Sequence, residues 1–389
     1  MTVTPKQRQH LIAAVNAHGL TLIRDPEQKV FAVGVAEKVT RGKSTGEQGI
    51  TLVVPPGEKQ RYRRRSTRRG ELPKSLSDGR VTIRTDVGEA ELPVGYVGAE
   101  VLRQPTTPWC MGYQLAFGAP FSAGLMLRWP PEDGQRGGRN VVCGPWHSFA
   151  DWTHQGITRL GVTVRQPDHA GAIVGRLFAL VAPPVYADLS GEAAGDAELA
   201  LIEMANAMRS RPIGPWQPPD GRGIDAYLDQ LYHIARQSDY GDGSGGLDDV
   251  LTHTVKDAAP WATAPRYYRD WNNRIAEIAP GGALAFRGFP KGLGHADVGD
   301  AVWFTGAASG TQAGRVTMLH ATTWIQWREG RLSLLSGVYW TSARAQPVDS
   351  GAVMWNEEGY AIGHVSGGFR GQSIVTPYVI EVDNSGQVR

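Results

Sequence analysis

Short apolar runs alternate with turn residues along most of the chain, which is the pattern of short β-strands. Turn residues separate these runs, which recur through residues 98–204 and again from residue 296 onward. The sequence contains 49 glycines and 25 prolines, enough to supply a turn between each pair of short strands. Regular strand spacing of this kind predicts an all-β fold, either a barrel or a sandwich.

The first 95 residues follow a mixed pattern. Leu11, Ile12 and Val15 lie on one face of an amphipathic helix predicted over residues 5–18, with Gly19 as its stop signal. Three strands are predicted after this helix, at residues 20–23, 30–36 and 50–54. We therefore expect an α+β extension ahead of the main β-rich body.

Residues 205–280 break the rhythm of short strands. Apolar residues return at helical spacing over residues 224–236, and a second helix is predicted over residues 267–278. A helical stretch between two β-rich stretches indicates an insertion in the β-rich body.

Composition places the chain among soluble globular proteins, with 41% hydrophobic and 20% charged residues. No apolar run reaches the length of about 18 residues that a membrane-spanning helix needs, and the N-terminal residues lack the apolar core of a signal peptide. Two cysteines, Cys110 and Cys143, cannot build a disulfide framework, which favours a reducing compartment. We expect a cytoplasmic protein with no membrane partner.

The net charge of +2 gives no overall field that would attract nucleic acid. The local exception is a run of six arginines: Arg61, Arg63, Arg64, Arg65, Arg68 and Arg69. Two interpretations stay open for this run, a functional patch or processing site and a solvated, mobile basic loop. No recognition motif accompanies the charges, so nucleic acid is not an expected partner.

A candidate nucleophile lies near the C-terminus. Ser350 stands between Asp349 and Gly351 on a turn that joins strand-like runs at residues 332–340 and 359–368. Such a turn can present a hydroxyl group and aim neighbouring backbone N–H groups at one point, which is the arrangement of an oxyanion hole.

A serine hydroxyl needs a general base, usually a histidine, and a carboxylate that orients the imidazole. The candidates occur in the order His147, Asp196, Ser350, each at the end of a predicted element, with Asp188 as an alternative carboxylate. Each candidate also has a structural interpretation, as a buried histidine, a strand-capping aspartate or a turn serine. The other histidines show no metal-ligand spacing, so we expect no cofactor, and Cys143 has the context of a buried strand cysteine.

Four stretches carry a resemblance to a known family. They are residues 122–127 followed by 140–147, residues 195–202, residues 298–316, and residues 348–351 followed by 361–368 and 376–377. In this order they resemble the chymotrypsin/trypsin-like serine peptidases, especially the intracellular bacterial members that carry an added N-terminal segment. The resemblance implies two six-stranded Greek-key β-barrels with the active site between them. The expected domains are the extension (1–95), a first β-barrel (96–204), the helical insertion (205–295) and a second β-barrel (296–389).

The resemblance also implies a role for each site residue. His147 would be the general base, Asp196 its orienting carboxylate and Ser350 the nucleophile, with the N–H groups of Val348 and Ser350 as the oxyanion hole. For substrate binding, Arg344 would lie on the floor of the primary pocket unless it faces solvent. The backbone of Val365, Ser366 and Gly367 would pair with the substrate as an added strand.

Two positions depart from the family pattern. The family usually has glycine where this chain has Val348, and small residues where it has Gly144-Pro145-Trp146 before His147. Valine would strain the turn or flip its peptide, because glycine best tolerates the backbone conformation needed there. Two hypotheses therefore stay open: a serine endopeptidase that is regulated or self-processing, and an inactive scaffold of the same fold that binds proteins. The expected partners are a protein or peptide substrate and a regulatory protein.

Overall fold

The structure is a computed structural model. It describes residues 4–40, 43–60, 72–95, 114–117, 119–129, 139–150, 162–166, 172–195, 197–204, 275–278, 284–288 and 291–378. The arginine run at 61–69, Cys110, Asp196 and the helix predicted over 224–236 lie outside these residues.

The described residues are mostly β-sheet, as the alternating pattern predicts, with one long α-helix. The helix is α1 (Pro5–Arg24). The strands are β1 (Ala32–Thr40), β2 (Lys43–Val54), β3 (Ser75–Ser77), β4 (Thr82–Glu89), β5 (Val94–Gly95), β6 (Gln114–Phe117), β7 (Ala119–Ser122), β8 (Met126–Trp129), β9 (Arg139–Gly144), β10 (Thr163–Gln166), β11 (Ala172–Val181), β12 (Leu199–Met204), β13 (Ile275–Ile278), β14 (Leu284–Gly288), β15 (Gly292–Leu293), β16 (Ala301–Gly306), β17 (Gly310–Gln326), β18 (Leu332–Thr341), β19 (Val353–Asn356), β20 (Tyr360–Phe369) and β21 (Gln372–Pro377).

Six strands of the C-terminal part form a closed ring of pairings. The order is β16-β19-β20-β21-β18-β17, and β17 pairs with β16 again, with every pair antiparallel. Trp324, Leu334, Val338, Met354 and Ile362 are buried in the core that these strands and the N-terminal residues share. This ring supplies the turn that carries Ser350, between β18 and β19.

The N-terminal residues continue the same sheet. β1 pairs antiparallel with β17, β2 pairs with β1, and β4 pairs parallel with β2. The sheet therefore contains twelve strands in total, so the predicted extension shares a sheet and a core with the C-terminal strands.

Helix α1 differs from the sequence-based expectation at its C-terminal end. It continues through Gly19 to Arg24, so the strand predicted at residues 20–23 was wrong. Leu11, Ile12, Leu22 and Ile23 are all buried, and their spacing places them on one helix face that packs on β1 and β17. That packing outweighs the intrinsic weakness of glycine inside a helix.

A second sheet of seven strands has the order β7-β6-β10-β11-β12-β9-β8. Its core includes Phe121, Val142, Phe149, Leu177 and Ile202. Among the described strands, the pairings of this sheet do not return to the first strand, so the arrangement of two closed barrels stays a prediction. This sheet positions His147, which follows β9, and the residues just before β12.

Within the predicted insertion, the structure describes a hairpin of β13 and β14 and the short strand β15, which pairs parallel with β20. Residues 275–278 therefore form a strand and not the end of the helix predicted over 267–278. The β-branched Ile275 and Ile278 favour an extended backbone, and pairing with β14 decides the outcome. No helix in the described residues is both long enough and apolar enough to cross a membrane.

Candidate active site

His147 lies in a short 3₁₀ helix, Trp146–Ser148, directly after β9. Pro145 starts this turn in an extended conformation, and its carbonyl oxygen accepts a hydrogen bond from the Ser148 N–H at 3.3 Å. Proline suits this position because it needs no backbone donor there. Pro145 therefore begins the turn that carries His147.

A buried glutamate, Glu198, contacts His147. The imidazole Nδ1 lies 2.9 Å from Glu198 Oε2, and the backbone N–H of His147 donates to the same oxygen at 3.2 Å. The side chains of both residues are fully buried. Since an ionised carboxylate only accepts hydrogen bonds, the Nδ1 of His147 carries a proton and its Nε2 is directed away from Glu198.

A second histidine contacts the other oxygen of the same carboxylate. His364, on β20, has its Nε2 at 3.1 Å from Glu198 Oε1 and is almost completely buried. Within the described part of the chain, the buried Nδ1 of His364 has no hydrogen-bond partner. Glu198 thus joins the seven-stranded sheet to the closed ring.

The pKa of Glu198 reflects two opposing effects. Burial raises it, but the charge interaction and hydrogen bond with His147, followed by those with His364, outweigh burial and lower the pKa to about 2. The carboxylate is therefore ionised at neutral pH and can stabilise a positively charged imidazole.

Sequence reasoning selected Asp196 and missed Glu198. Asp196 lies outside the described residues, so its expected role stays a prediction. Residues two positions apart in an extended chain face the same side. The sequence pattern of this stretch therefore could not show which of the two carboxylates contacts the histidine. One feature of the sequence could have identified Glu198, namely that it directly precedes the apolar strand β12. The alternative Asp188 is exposed and accepts hydrogen bonds from Ser190.

The turn that carries Ser350, the candidate nucleophile, has a conformation that valine rarely adopts. The Asp349 N–H donates to the Gln346 carbonyl at 3.0 Å, which closes a β-turn with Pro347 and Val348 at its centre. Val348 has φ of 80°, and proline fixes a negative φ before it, which together define a type II turn. Of the two expected outcomes, strain and a flipped peptide, the structure shows strain, at about 1–3 kcal/mol.

Ser122 from the seven-stranded sheet holds this turn in place. Its N–H donates to the Ser350 carbonyl at 2.8 Å, and its hydroxyl donates to the Val348 carbonyl at 2.7 Å. The same hydroxyl accepts a hydrogen bond from the Ala307 N–H at 2.8 Å. These contacts fix the carbonyl groups on both sides of Asp349 and so hold Val348 in its strained conformation.

Asp349 lies beneath the turn and is surrounded by donors. Its carboxylate accepts hydrogen bonds from the N–H groups of Gln346, Ala308 and Ser309 at 2.8–3.0 Å and from the Ser309 hydroxyl at 2.5 Å. Burial raises the pKa of Asp349, and these donors oppose the rise. Gly306 is required beside it, because a Cβ atom there would lie 2.2 Å from Asp349 Oδ1.

The turn that carries Ser350 lies against the segment that carries His147. Gly351 has φ of 90°, and a Cβ atom on it would lie 2.8 Å from Pro145 Cδ and 2.4 Å from the Ser122 carbonyl oxygen. Only glycine fits at this contact, so the backbone of Gly351 packs directly against the ring of Pro145. Ser350 itself has no exposed surface.

Trp327 covers the imidazole of His147. The two rings are stacked, with centroids 4.9 Å apart and an angle of 22° between their planes. Trp327 also contacts Trp146 edge to face at 6.0 Å. The histidine is therefore shielded from solvent by an indole ring.

Two of the residues expected to bind substrate, Arg344 and Val365, differ in their surroundings. Arg344 is exposed, because the chain alternates there and buries its neighbours Ala343 and Ala345, so the solvent-facing alternative holds for this residue. Val365 is bonded to the nucleophile turn through Gly351 N–H and the Ala352 carbonyl.

The next two residues of β20 have partners of different kinds. The Ser366 hydroxyl pairs with the Thr376 hydroxyl at 2.6 Å, and Gly367 lies opposite Gly95 of β5. The strand expected to pair with a substrate is therefore already paired with β5.

Two other chemistries can be assessed from the described residues. Burial raises the pKa of Cys143 to about 12, so this thiol stays protonated and is a poor nucleophile at neutral pH. No group of three histidine, cysteine or acidic side chains within the described ranges could hold a metal ion.

Comparisons with known proteins give a consistent but distant similarity. The chain is similar to Thermobifida fusca protease A (14% identity, TM-score 0.37), Cellulomonas bogoriensis chymotrypsin (15%, 0.33) and Nocardiopsis protease (13%, 0.35). Each similarity covers 69% of this chain and 90–91% of the solved structure. No protein-family model matches the chain, and no curated protein matches it significantly. Similarity at this level establishes neither a shared fold nor a shared activity.

Proposed function

We propose that this protein is a serine endopeptidase of the trypsin-like fold. One observation supports the proposal above all others: a buried histidine, oriented by an ionised carboxylate, lies on a segment that packs directly against the turn of Ser350. A base with a fixed tautomer beside a serine on a tight turn is the arrangement that activates a hydroxyl group.

In the proposed reaction, Ser350 Oγ attacks the carbonyl carbon of a peptide bond while His147 Nε2 accepts the hydroxyl proton. His147 then gives that proton to the leaving nitrogen as the C–N bond breaks, and Glu198 stabilises the intermediate imidazolium. Water hydrolyses the resulting ester by the same steps in reverse. The N–H groups of Val348 and Ser350 bind the oxyanion, and the glycine-like φ of Val348 supports this role.

A second candidate is an inactive protein of the same fold that serves as a binding scaffold. The observation in its favour is that Ser350 and His147 are both buried, so a substrate cannot reach them without a movement. The endopeptidase hypothesis accounts for the same burial if the site is closed until regulation or processing opens it. We propose such an opening step as part of the endopeptidase hypothesis.

A covalent probe separates the two candidates. We expect a fluorophosphonate to label Ser350 in the wild-type protein, with Ser350→Ala as the control. Peptides of a proteome-derived library should be cut by the unlabelled wild-type protein and not by Ser350→Ala. The probe is applied to the native protein, to protein heated until it partly opens, and to protein after limited proteolysis. Absence of labelling under all three conditions would favour the scaffold.

A further inference from the structure

Ser122 ends β7 in the seven-stranded sheet, and both of its donors reach the turn of Ser350 in the closed ring. Its N–H donates to the Ser350 carbonyl at 2.8 Å, and its hydroxyl donates to the Val348 carbonyl at 2.7 Å. Ser122 has no exposed surface, and a hydrogen bond away from water is electrostatically stronger than one in water. These two bonds hold the peptide groups on either side of the one that contains the Ser350 N–H.

The hydroxyl group of Ser122 has a defined direction. Its oxygen accepts a hydrogen bond from the Ala307 N–H at 2.8 Å, so its own proton is directed to the Val348 carbonyl. Ala307 lies in the turn between β16 and β17, and the next two residues of that turn donate to the Asp349 carboxylate. One hydroxyl group therefore joins the end of β7, the β16–β17 turn and the turn of Ser350.

The residues after β7 are bonded to the strand that leads to His147. The Gly124 N–H donates to the Cys143 carbonyl at 2.9 Å, and the Cys143 N–H donates to the Leu125 carbonyl at 2.8 Å. Cys143 belongs to β9, and His147 follows that strand. Residues 122–125, which we call the bridge segment, are therefore bonded to the strand of the base on one side and to the turn of the nucleophile on the other.

The bridge segment approaches both neighbours closely. A Cβ atom on Gly124 would lie 2.5 Å from the Cys143 carbonyl oxygen and 2.8 Å from the Gly351 carbonyl oxygen. A Cβ atom on Gly351 would lie 2.4 Å from the Ser122 carbonyl oxygen. Because close-packed interiors transmit strain, a shift of the bridge segment would displace the backbone on both sides.

We propose that Ser122 is a positioning residue for the proposed reaction, and that its hydroxyl group sets the orientation of Ser350 relative to His147. The nucleophile and the base lie on different sheets, so strand pairing within either sheet does not fix the distance between them. The bridge segment supplies bonds that cross from one sheet to the other. Without the hydroxyl group, the Val348 carbonyl and the Ala307 N–H each lose this partner.

The loss would act on the reaction through geometry. A displacement of about 1 Å at the reacting groups can slow a reaction about 100-fold. The proposal rests on the proposed function for this effect on catalysis. The holding of the turn by Ser122 does not depend on any activity, so it has a test of its own.

That test uses the Ser350→Ala protein, in which catalysis is absent. Amide hydrogen exchange of residues 348–352 is compared after adding Ser122→Ala or Ser373→Ala. Ser373 is the matched control, because it is equally buried and its hydroxyl pairs with the Thr341 hydroxyl at 2.8 Å. We expect exchange at least about tenfold faster with Ser122→Ala and no change with Ser373→Ala. Equal exchange in the two variants would overturn the holding role.

The effect on catalysis is tested by steady-state hydrolysis of a peptide, with kcat calculated per site that a fluorophosphonate titrates. We expect Ser122→Ala to lower kcat by about 10–100-fold with little change in KM, because the change acts on the reacting groups and not on substrate contacts. Ser122→Cys keeps the volume but donates more weakly, so its kcat should be intermediate. It replaces the alanine variant if that one does not fold. Ser373→Ala should keep the wild-type kcat.

The outcomes separate the inference from the proposed function. If the wild type hydrolyses peptides and Ser122→Ala keeps the wild-type kcat, or raises KM without lowering kcat, the inference fails and the proposed function stands. If no protein, the wild type included, is labelled or hydrolyses peptides, the proposed function fails and the catalytic part of the inference fails with it. The exchange measurement then decides whether Ser122 holds the turn.

Discussion

Two buried carboxylates lie in the candidate site, and they are stabilised in different ways. Glu198 accepts hydrogen bonds from two imidazoles and one backbone N–H. Asp349 accepts them from three backbone N–H groups and one hydroxyl. The pKa of Glu198 is lowered to about 2, whereas burial raises the pKa of Asp349.

The difference indicates what each carboxylate does. In the proposed reaction, the imidazole of His147 takes up and releases a proton, so the charge on Glu198 is coupled to that proton movement. Backbone N–H groups do not titrate, so Asp349 can only fix the shape of the turn that carries Ser350. In the proposed reaction, Glu198 serves the chemistry and Asp349 the geometry, and substitutions at Glu198, Asp349, His364 and Val348 test this distinction.

The largest expected effect follows from Glu198→Gln. A neutral amide cannot stabilise the imidazolium of His147, so kcat should fall by about 10³–10⁴ while the fold is retained. The measurement is steady-state hydrolysis of a peptide, with the exposed Glu192→Gln as the matched control. A loss below tenfold would show that Glu198 does not serve the base.

Asp349→Asn should lower kcat by about 10²–10³, which is the effect of losing one oxyanion donor. The amide oxygen can still accept from the N–H groups of Ala308 and Ser309, but the amide nitrogen would then face the N–H donor of Gln346, and the turn would have to rearrange. Ser309→Ala removes one hydroxyl donor and should cost less. Both variants should leave the pH dependence of kcat unchanged, and a shifted profile would contradict a purely geometric role.

His364→Leu should lower kcat/KM by about tenfold, whereas His364→Gln, which keeps a donor, should stay closer to the wild type.

The folded pKa of Glu198, about 2, lies below its usual value of 4.5, so the carboxylate stabilises the fold above about pH 4.5 and loses this effect as the pH falls toward 2. Without the hydrogen bond from His364, the pKa of Glu198 is lowered less. The Tm difference between wild type and His364→Leu should therefore shrink from pH 6 to pH 3, and a constant difference would mean that His364 only fills space.

The smallest effect concerns the strain at Val348. Val348→Gly and Val348→Ala remove nearly the same buried side chain, but only glycine relieves the positive φ. We expect the glycine variant to be more stable than the alanine variant by about 1 kcal/mol in chemical unfolding, with similar activity. Equal stabilities would show that the turn is not strained.

The sequence predicted those features that depend on local patterns. Alternation of apolar residues gave the strands around His147 and Ser350, and Asp349-Ser350-Gly351 marked the turn between strands. Helix α1 was predicted too short, since Gly19 was taken for its end.

The features that the sequence did not predict depend on contacts between distant residues. Glu198 is identified by two histidines that lie 51 and 166 positions away, and no local spacing connects them. The pairing of β5 with β20 depends on the folded ring in the same way, because two residues are too few to carry a periodic signal.

The pairing of β1 with β17 has a consequence for synthesis. Ala32 meets Thr323, so the first strand leaves the ribosome roughly 290 residues before its partner, a delay of about 15–60 s at ordinary rates of translation. During that interval, among the described residues, β2 and α1 are the neighbours of β1 that have already been synthesised. A nascent chain arrested before residue 310 should therefore recruit chaperones, and release should follow once β17 emerges.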